Sequence, residues 1–248
     1  MLDYKLNYIN IYGIPTLEEF KNNTMYNKEK AIILLSGGLD SCVTASIADK
    51  NNLELAFLHM NYGQLTEDRE LLAFNNIAHY YNVEHKLIIN VSHLSEIGNS
   101  CLTDNSIEVP KANLDNTNIP ISYVPFRNAN ILAAAVSWAE AIDAKQIHVG
   151  AVEEDSSGYP DCREIFFNAF QNVINLGTKP KTKIKIKTPL INLSKKEIVL
   201  KGLETSAPLH LTWSCYKNHD IPCNQCDSCI LRQRGFLEAG KNDPLVTI

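Results

Sequence analysis

The chain alternates between short apolar runs and longer amphipathic stretches. Ala31–Leu35 is an unbroken apolar run of strand length, the pattern of a strand buried on both faces. Cys42–Lys50 continues beyond it as a helix. Leu53–Met60 predicts a second strand. Thr66–Tyr81 predicts a helix with Leu71, Leu72, Ile77 and Ala78 on its apolar face. Glu84–Val91 reads as a third strand. Residues 92–123 are polar, Asn-rich and without sustained periodicity, and a loop that long inside a compact domain is expected to be functional, for instance a lid. Asn128–Ala144 is an Ala-rich amphipathic helix and Gln146–Ala151 a fourth strand. Cys162–Leu176 is a helix behind Pro160-Asp161, and Lys183–Lys187 a fifth strand. Ser194, with Glu197 three positions on, forms a capping box that opens a helix to Gly202. Alternating strands and helices predict an α/β fold, a doubly wound parallel sheet. The expected organisation is an N-terminal extension at 1–28, a main domain at 29–205 and a small C-terminal region at 206–248.

Composition narrows the setting. With 248 residues and 45% hydrophobic content, the chain suits one large domain with a small appendage. The net charge of −5 argues against a broad nucleic-acid-binding face. The cationic run Lys179–Lys187 is interspersed with Thr and Ile, and reads as the solvated face of an edge strand. No apolar run approaches the roughly 20 residues that span a bilayer, and the N-terminus lacks a secretory apolar segment. The expected location is the cytoplasm, where thiols stay reduced. The seven cysteines then point to metal or chemistry ahead of disulfides.

The first strand runs into Ser36-Gly37-Gly38-Leu39-Asp40-Ser41. Adjacent glycines let the backbone turn sharply and approach a ligand, and amides at a helix N-terminus make an anion site. No Gly-Lys-Ser/Thr follows, so this is not a Walker loop, and the third glycine of the dinucleotide fingerprint is missing. A lone Gly-Gly would be an ordinary turn. The full order of strand, Ser-Gly-Gly-Leu-Asp-Ser and helix resembles the signature loop of the PP-loop ATP pyrophosphatases. That resemblance implies cleavage of ATP between the α- and β-phosphates and transfer of AMP to a carboxylate, amide or carbonyl oxygen. Leu34, Leu35, Ser36, Gly37, Gly38, Leu39, Asp40, Ser41 and Cys42 form the expected nucleotide-binding set. Cys42 alone also reads as a small buried apolar residue.

Cys215, Cys223, Cys226 and Cys229 have the spacing C-x7-C-x2-C-x2-C. Four thiolates so close can close a tetrahedral shell around zinc. A structural Zn2+ site comes ahead of an iron–sulfur cluster or a sulfur-relaying thiol.

Further segments narrow the family. They are Tyr62-Gly63-Gln64, Val124-Pro125-Phe126-Arg127-Asn128, Ser157-Gly158-Tyr159-Pro160-Asp161-Cys162-Arg163, Thr188–Lys195, and the tail from Trp213 to Arg232. In this order, from about Ala31 to Phe236, they closely resemble the 7-cyano-7-deazaguanine synthase family, the nitrile-forming enzymes of queuosine precursor synthesis. The resemblance implies ATP-dependent adenylation of a 7-carboxy-7-deazaguanine carboxylate and attack by ammonia to give the amide. A second adenylation then precedes dehydration to the nitrile. It implies ATP and Mg2+ as cofactors, and homodimers are common among such relatives. Asp40 is then a direct or water-mediated Mg2+ ligand. Arg127 contacts a phosphate or the substrate carboxylate, against a plain surface salt bridge. Lys195 joins the catalytic set, against a solvated side chain. Asp161 accepts from the purine-like N–H edge and Arg163 holds the carboxylate, against a helix cap and a surface arginine. Tyr62 or Tyr159 stacks on the base, and Gln64 belongs to the substrate pocket.

Two departures stand out. The family usually continues Tyr-Gly-Gln with Arg-His, whereas Leu65-Thr66 follows here, and Glu70 lies about one place beyond the family's glutamate. About 28 residues also precede the first strand. Both keep open a paralogue that joins the activated carboxylate to another amine, such as a protein amine in phage defence. A tRNA-thiolating enzyme and an inactive nucleotide-binding scaffold are the remaining alternatives.

Overall fold

The computed structural model describes residues 28–113, 118–153 and 158–246. The expected extension at 1–28 therefore lies outside the described residues, Lys28 apart, and so does Ser157. Five strands, β1 (Lys30–Leu34), β2 (Glu54–Asn61), β3 (His85–Asn90), β4 (Gln146–Val149) and β5 (Lys185–Lys187), form a parallel sheet in the order β3-β2-β1-β4-β5. Central β1 pairs with β2 on one side, Ile32 opposite Ala56, and with β4 on the other, Ile32 opposite Ile147. The chain therefore winds first one way and then the other from β1. The crevice between the carboxyl ends of β1 and β4 is the topological switch point, where open α/β sheets bind ligands.

The period-2 alternation of β1 feeds two cores. Ala31, Ile33 and Leu35 face α1 (Leu39–Lys50) and α2 (Glu67–Tyr80), packing with Cys42, Ala45, Phe57, Phe74 and Ile77. Ile32 and Leu34 face α4 (Arg127–Ile142) and α5 (Glu164–Gly177), packing with Leu132, Ala135, Phe167 and Ile174. Because both faces are covered, β1 reads as a continuous apolar run. Each fully buried side chain of this size contributes about 1.5–3 kcal/mol.

Several boundaries differ from the sequence reading. On α2 the buried stripe is Ala73, Phe74, Ile77 and Ala78, while Leu72 is exposed. Of the expected face, Leu71, Ile77 and Ala78 pack in the core, and Phe74 joins them. Strand β4 ends at Val149, and Gly150 after it passes against the backbone of Asp40 and Ser41. The helix expected from Cys162 begins at Glu164, after a 3-10 turn at Pro160–Cys162. Strand β5 is shorter than expected, but it is an edge strand with Lys185 and Lys187 exposed. Residues 92–123 include a short helix, α3 (His93–Ile97), and bury Leu94, Cys101 and Leu102 against Met60 and Tyr62. None of the described residues of this stretch lines the cleft, so it acts as a buttress behind the site in this conformation.

Beyond β5 come α6 (Lys195–Glu204) and α7 (Asp227–Glu238). The expected capping box is present: Ser194 Oγ accepts from Glu197 N, and Glu197 Oε2 accepts from Ser194 N at 2.9 Å. Leu209 and Phe236 share a core with Leu39, Val43 and Ile198, so the C-terminal region is packed onto α1 and α6. Gly235 permits the contact between α7 and α6, since a Cβ there would lie 2.9 Å from Lys195 Cβ.

Candidate active site

A cleft of about 280 Å3 opens at the switch point. One wall is the end of β1 and the start of α1. The opposite wall is the end of β4, Val149–Val152. These walls approach so closely that a Cβ on Gly150 would lie 2.9 Å from both Asp40 C and Ser41 N.

The loop between β1 and α1 is built for an anion. Gly37 adopts φ +91°, a left-handed conformation that glycine takes without strain. The first helical hydrogen bond is Cys42 N to Gly38 O, at 3.1 Å. The amides of Leu39, Asp40 and Ser41 therefore precede any intrahelical partner. Ser36 Oγ and Ser41 Oγ lie 3.2 Å apart, and Ser41 Oγ donates to Gly38 O at 3.0 Å. Free amides, two hydroxyls and a helix N-terminus fit a polyphosphate. The C-terminal region braces the loop from behind, with Trp213 N donating to Gly37 O at 2.9 Å.

Besides Arg232, which lines the cleft and is paired with Asp243, charge among the described residues of the cleft is concentrated at three places. Lys195 Nζ donates to both carboxylate oxygens of Asp40, at 2.9 and 2.7 Å. Arg127, at the first position of α4, donates to Tyr62 Oη at 3.0 Å and lies 5.1 Å from that ring's centre. Burial works against the Arg127 charge, but surrounding Tyr62, Tyr159, Cys162 and Tyr216 hold its pKa above the ordinary arginine value. The third place is Glu70 on α2. Its Oε1 accepts from Thr66 Oγ1 at 2.8 Å and its Oε2 from Gln64 Nε2 at 3.2 Å. Burial pushes its carboxyl above the usual carboxylate range, against the donors Thr66 and Gln64 and the Arg127 charge.

The cleft brings together Leu34, Leu35, Ser36, Gly38, Leu39, Asp40, Ser41, Tyr62, Arg127, Tyr159 and Lys195 from the expected set. It does not include the rest. Gly37 turns toward α2, where its position meets Glu70 O and Ala73 Cβ. Cys42 is fully buried in the α1–α2 core, its thiol pushed up to about 12 by burial. Gln64 sits behind Tyr62, accepting from Tyr62 N at 2.8 Å. Asp161 is 3% exposed, and its Oδ2 accepts from Asn128 N at 2.9 Å. It caps α4 from across the fold, where Phe126 supplies no cap of its own and takes φ +58°. Arg163 does not line the cleft; it is exposed, with Nε donating to Pro160 O at 3.1 Å. The bland readings of a helix cap and a surface arginine therefore describe the positions of Asp161 and Arg163. Glu70, Asn128, Cys162 and Tyr216 line the cleft although they were outside the expected set. A Thr66–Glu70 spacing of four on a helix was the available signal for Glu70.

The four clustered cysteines bring their Sγ atoms within 4.8 Å of one another. Cys215, Cys226 and Cys229 are buried. Backbone amides of Lys217, Asn218 and Cys223 donate to Cys215 Sγ at 3.3–3.4 Å. Hydrogen bonds from the Cys226 and Cys229 thiols hold the Cys215 pKa well below the usual thiol range. Four soft donors at this spacing, with amides aimed at sulfur, fit a tetrahedral metal ion such as zinc. Tyr216 ties the cluster to the cleft, since it follows Cys215 directly and lines the cavity.

Comparison with known proteins shows the family. The family model described as "Queuosine biosynthesis protein QueC" matches residues 30–240. The chain is similar to the 7-cyano-7-deazaguanine synthase of Chlorobium chlorochromatii (strain CaD3), with 57% identity over 216 residues, 87% of this chain and 95% of that one. The proteins of the same name from Chlorobium phaeobacteroides (strain DSM 266 / SMG 266 / 2430) and Chloroherpeton thalassium (strain ATCC 35110 / GB-78) are each 56% identical, over 87% of this chain and 96% of theirs. The chain belongs to the QueC family of queuosine biosynthesis proteins.

Proposed function

We propose that the chain is an ATP-dependent 7-cyano-7-deazaguanine synthase acting on 7-carboxy-7-deazaguanine. The observation that carries this reading is the shared cleft. A loop fitted to a polyphosphate and a half-buried arginine ringed by tyrosines face the same cavity. A carboxylate is a poor electrophile until an oxygen is turned into a leaving group. In this reading the loop amides, Ser36 and Ser41 hold the departing pyrophosphate, and Lys195 and Arg127 face the charge that develops on phosphate and carboxylate. Arg127 positions the carboxylate, and Tyr62 or Tyr159 stacks on the flat base. Asp40 is the group that would hold Mg2+, which supplies charge neutralisation on the phosphates. Asp161 acts through the helix it caps, and Arg163 lies outside the cleft lining. Zn2+ at the four cysteines has a structural role.

Ammonia is the proposed amine. The relatives' shared name gives no support to a protein acceptor or to tRNA thiolation. Among the described residues, no helix is long and apolar enough to cross a membrane. We place the protein in the cytoplasm as a homodimer. Exposed Ile165, Val173 and Leu176 on α5 offer an apolar face for a second copy. The test is turnover of the carboxy-deazaguanine with Mg-ATP, with and without ammonium, read by mass spectrometry. Nitrile formed only with ammonium supports the reading. Persistent amide, or no consumption of substrate, contradicts it.

A further inference from the structure

Glu70 is an acid in a cleft otherwise fitted to anions. Its main chain touches the loop, since a Cβ on Gly37 would lie 2.8 Å from Glu70 O. Glu70 lines the same cavity as Arg127 and the loop. A carboxylate there is repelled by bound pyrophosphate and by a substrate carboxylate alike. Asp40 faces the same repulsion and is paired with Lys195. Glu70 is held only by neutral donors, and among the described residues it forms no ion pair. Each of its oxygens has accepting capacity beyond its one hydrogen bond. The chemistry this leaves unfilled is a small cation with N–H donors. A divalent metal ion fits less well, because Gln64 presents its N–H2 to the carboxylate and commits its oxygen to Tyr62 N.

We propose that Glu70 receives ammonium and takes one of its protons in the amide-forming step, with Thr66 and Gln64 as positioning residues. The assignment rests on the synthase reading given above. In this step an N–H proton passes to a Glu70 carboxylate oxygen, freeing the nitrogen lone pair. That pair attacks the carbonyl carbon of the adenylated substrate. The C–O bond to AMP breaks and AMP leaves with the electron pair. The newly bonded nitrogen loses its excess proton to solvent, leaving the neutral amide, and Glu70 returns its own proton through the open cleft. Burial, which raises the proton affinity of Glu70, makes it a better base than an exposed carboxylate. Thr66 also gives the departure from the family pattern a role, since its hydroxyl fixes one Glu70 oxygen.

The test is Glu70→Gln with three readouts: carboxylate-dependent ATP–pyrophosphate exchange, amide and nitrile formation from ammonium, and hydroxamate formation from hydroxylamine. Hydroxylamine is uncharged at neutral pH and needs no base to free its lone pair. The expected result is a loss of ammonium-dependent product of about a hundredfold, with hydroxamate formation within a few-fold of wild type. Thr66→Ala should lose part of the ammonium rate and keep the hydroxylamine rate. Equal losses with both amines, or wild-type use of ammonium by Glu70→Gln, would overturn the assignment. Absence of exchange in the wild-type protein would instead overturn the synthase reading, and the assignment with it.

Discussion

Two histidines flank the central strand in a form that cannot easily take a proton. His148 on β4 is buried, and burial together with the Lys187 charge lowers its pKa to about 4. His59 on β2 is buried, with Nδ1 3.0 Å from Leu35 O, and burial lowers its pKa too. In the unfolded chain both protonate near the ordinary histidine value, about 6.5. As pH falls below that value the unfolded state binds the protons first, so stability is lost progressively down to the folded pKa. For His148 the loss is roughly 3 kcal/mol by pH 4. Glu70 and Asp161 act in the opposite sense, since their folded pKa values are raised and they favour the folded state at low pH. Urea unfolding should show a midpoint that drops between pH 7 and pH 5, and drops less in His148→Gln. Residue identity in the loop was legible because Ser-Gly-Gly-Leu-Asp-Ser carries its chemistry in local order. The placement of Asp161 at the start of α4 and of Arg163 on the surface was not legible, because a short motif does not say which side of a turn faces the cleft.

At the scale of elements, the site depends on two close approaches. One is Gly37 against α2, and the other is Gly150 against the start of α1. Gly150→Ala places a Cβ against Asp40 and Ser41 backbone, which has no flexible side chain to yield. The loop must shift, and overpacking of this kind costs about 1–3 kcal/mol. Isothermal titration should show ATP affinity down at least about tenfold, with a lower Tm. The doubly wound order was readable from alternating apolar and amphipathic runs. The end of β4 was not, because hydrophobicity continues through Ala151 and Val152 after the strand has ended. On α2 the face was readable except for Leu72, which is exposed while Leu71, Ile77 and Ala78 pack in the core. Leu71 and Leu72 satisfy the period equally well, and only packing of Phe74 against Phe57 and His59 decides the rotation.

At the scale of the molecule, the cysteine cluster and the cleft are one construction. Trp213 holds the phosphate loop, Tyr216 lines the cleft, and Cys215 lies between them. Buried Arg232 closes the region by pairing with Asp243 at 2.7 and 2.9 Å and donating to Thr212 at 2.7 Å. The chain should contain one zinc per molecule by elemental analysis. Cys226→Ser should lose it, with reduced solubility and Tm, and activity should fall in proportion to the folded fraction. A variant that stays folded and metal-loaded yet inactive would contradict the structural role. The spacing of the cysteines made this site visible in the sequence. Its link to the phosphate loop was not visible, since it runs through one main-chain hydrogen bond from Trp213.

The central claim is that this cleft activates a carboxylate by transferring AMP to it. The most direct measurement uses substrate labelled with 18O in the carboxylate, ATP and ammonium, with the phosphorus products read by mass spectrometry. The account predicts that the label appears in AMP and that pyrophosphate stays unlabelled. Label in inorganic phosphate with ADP as the nucleotide product, or unlabelled AMP alongside product formation, would contradict it.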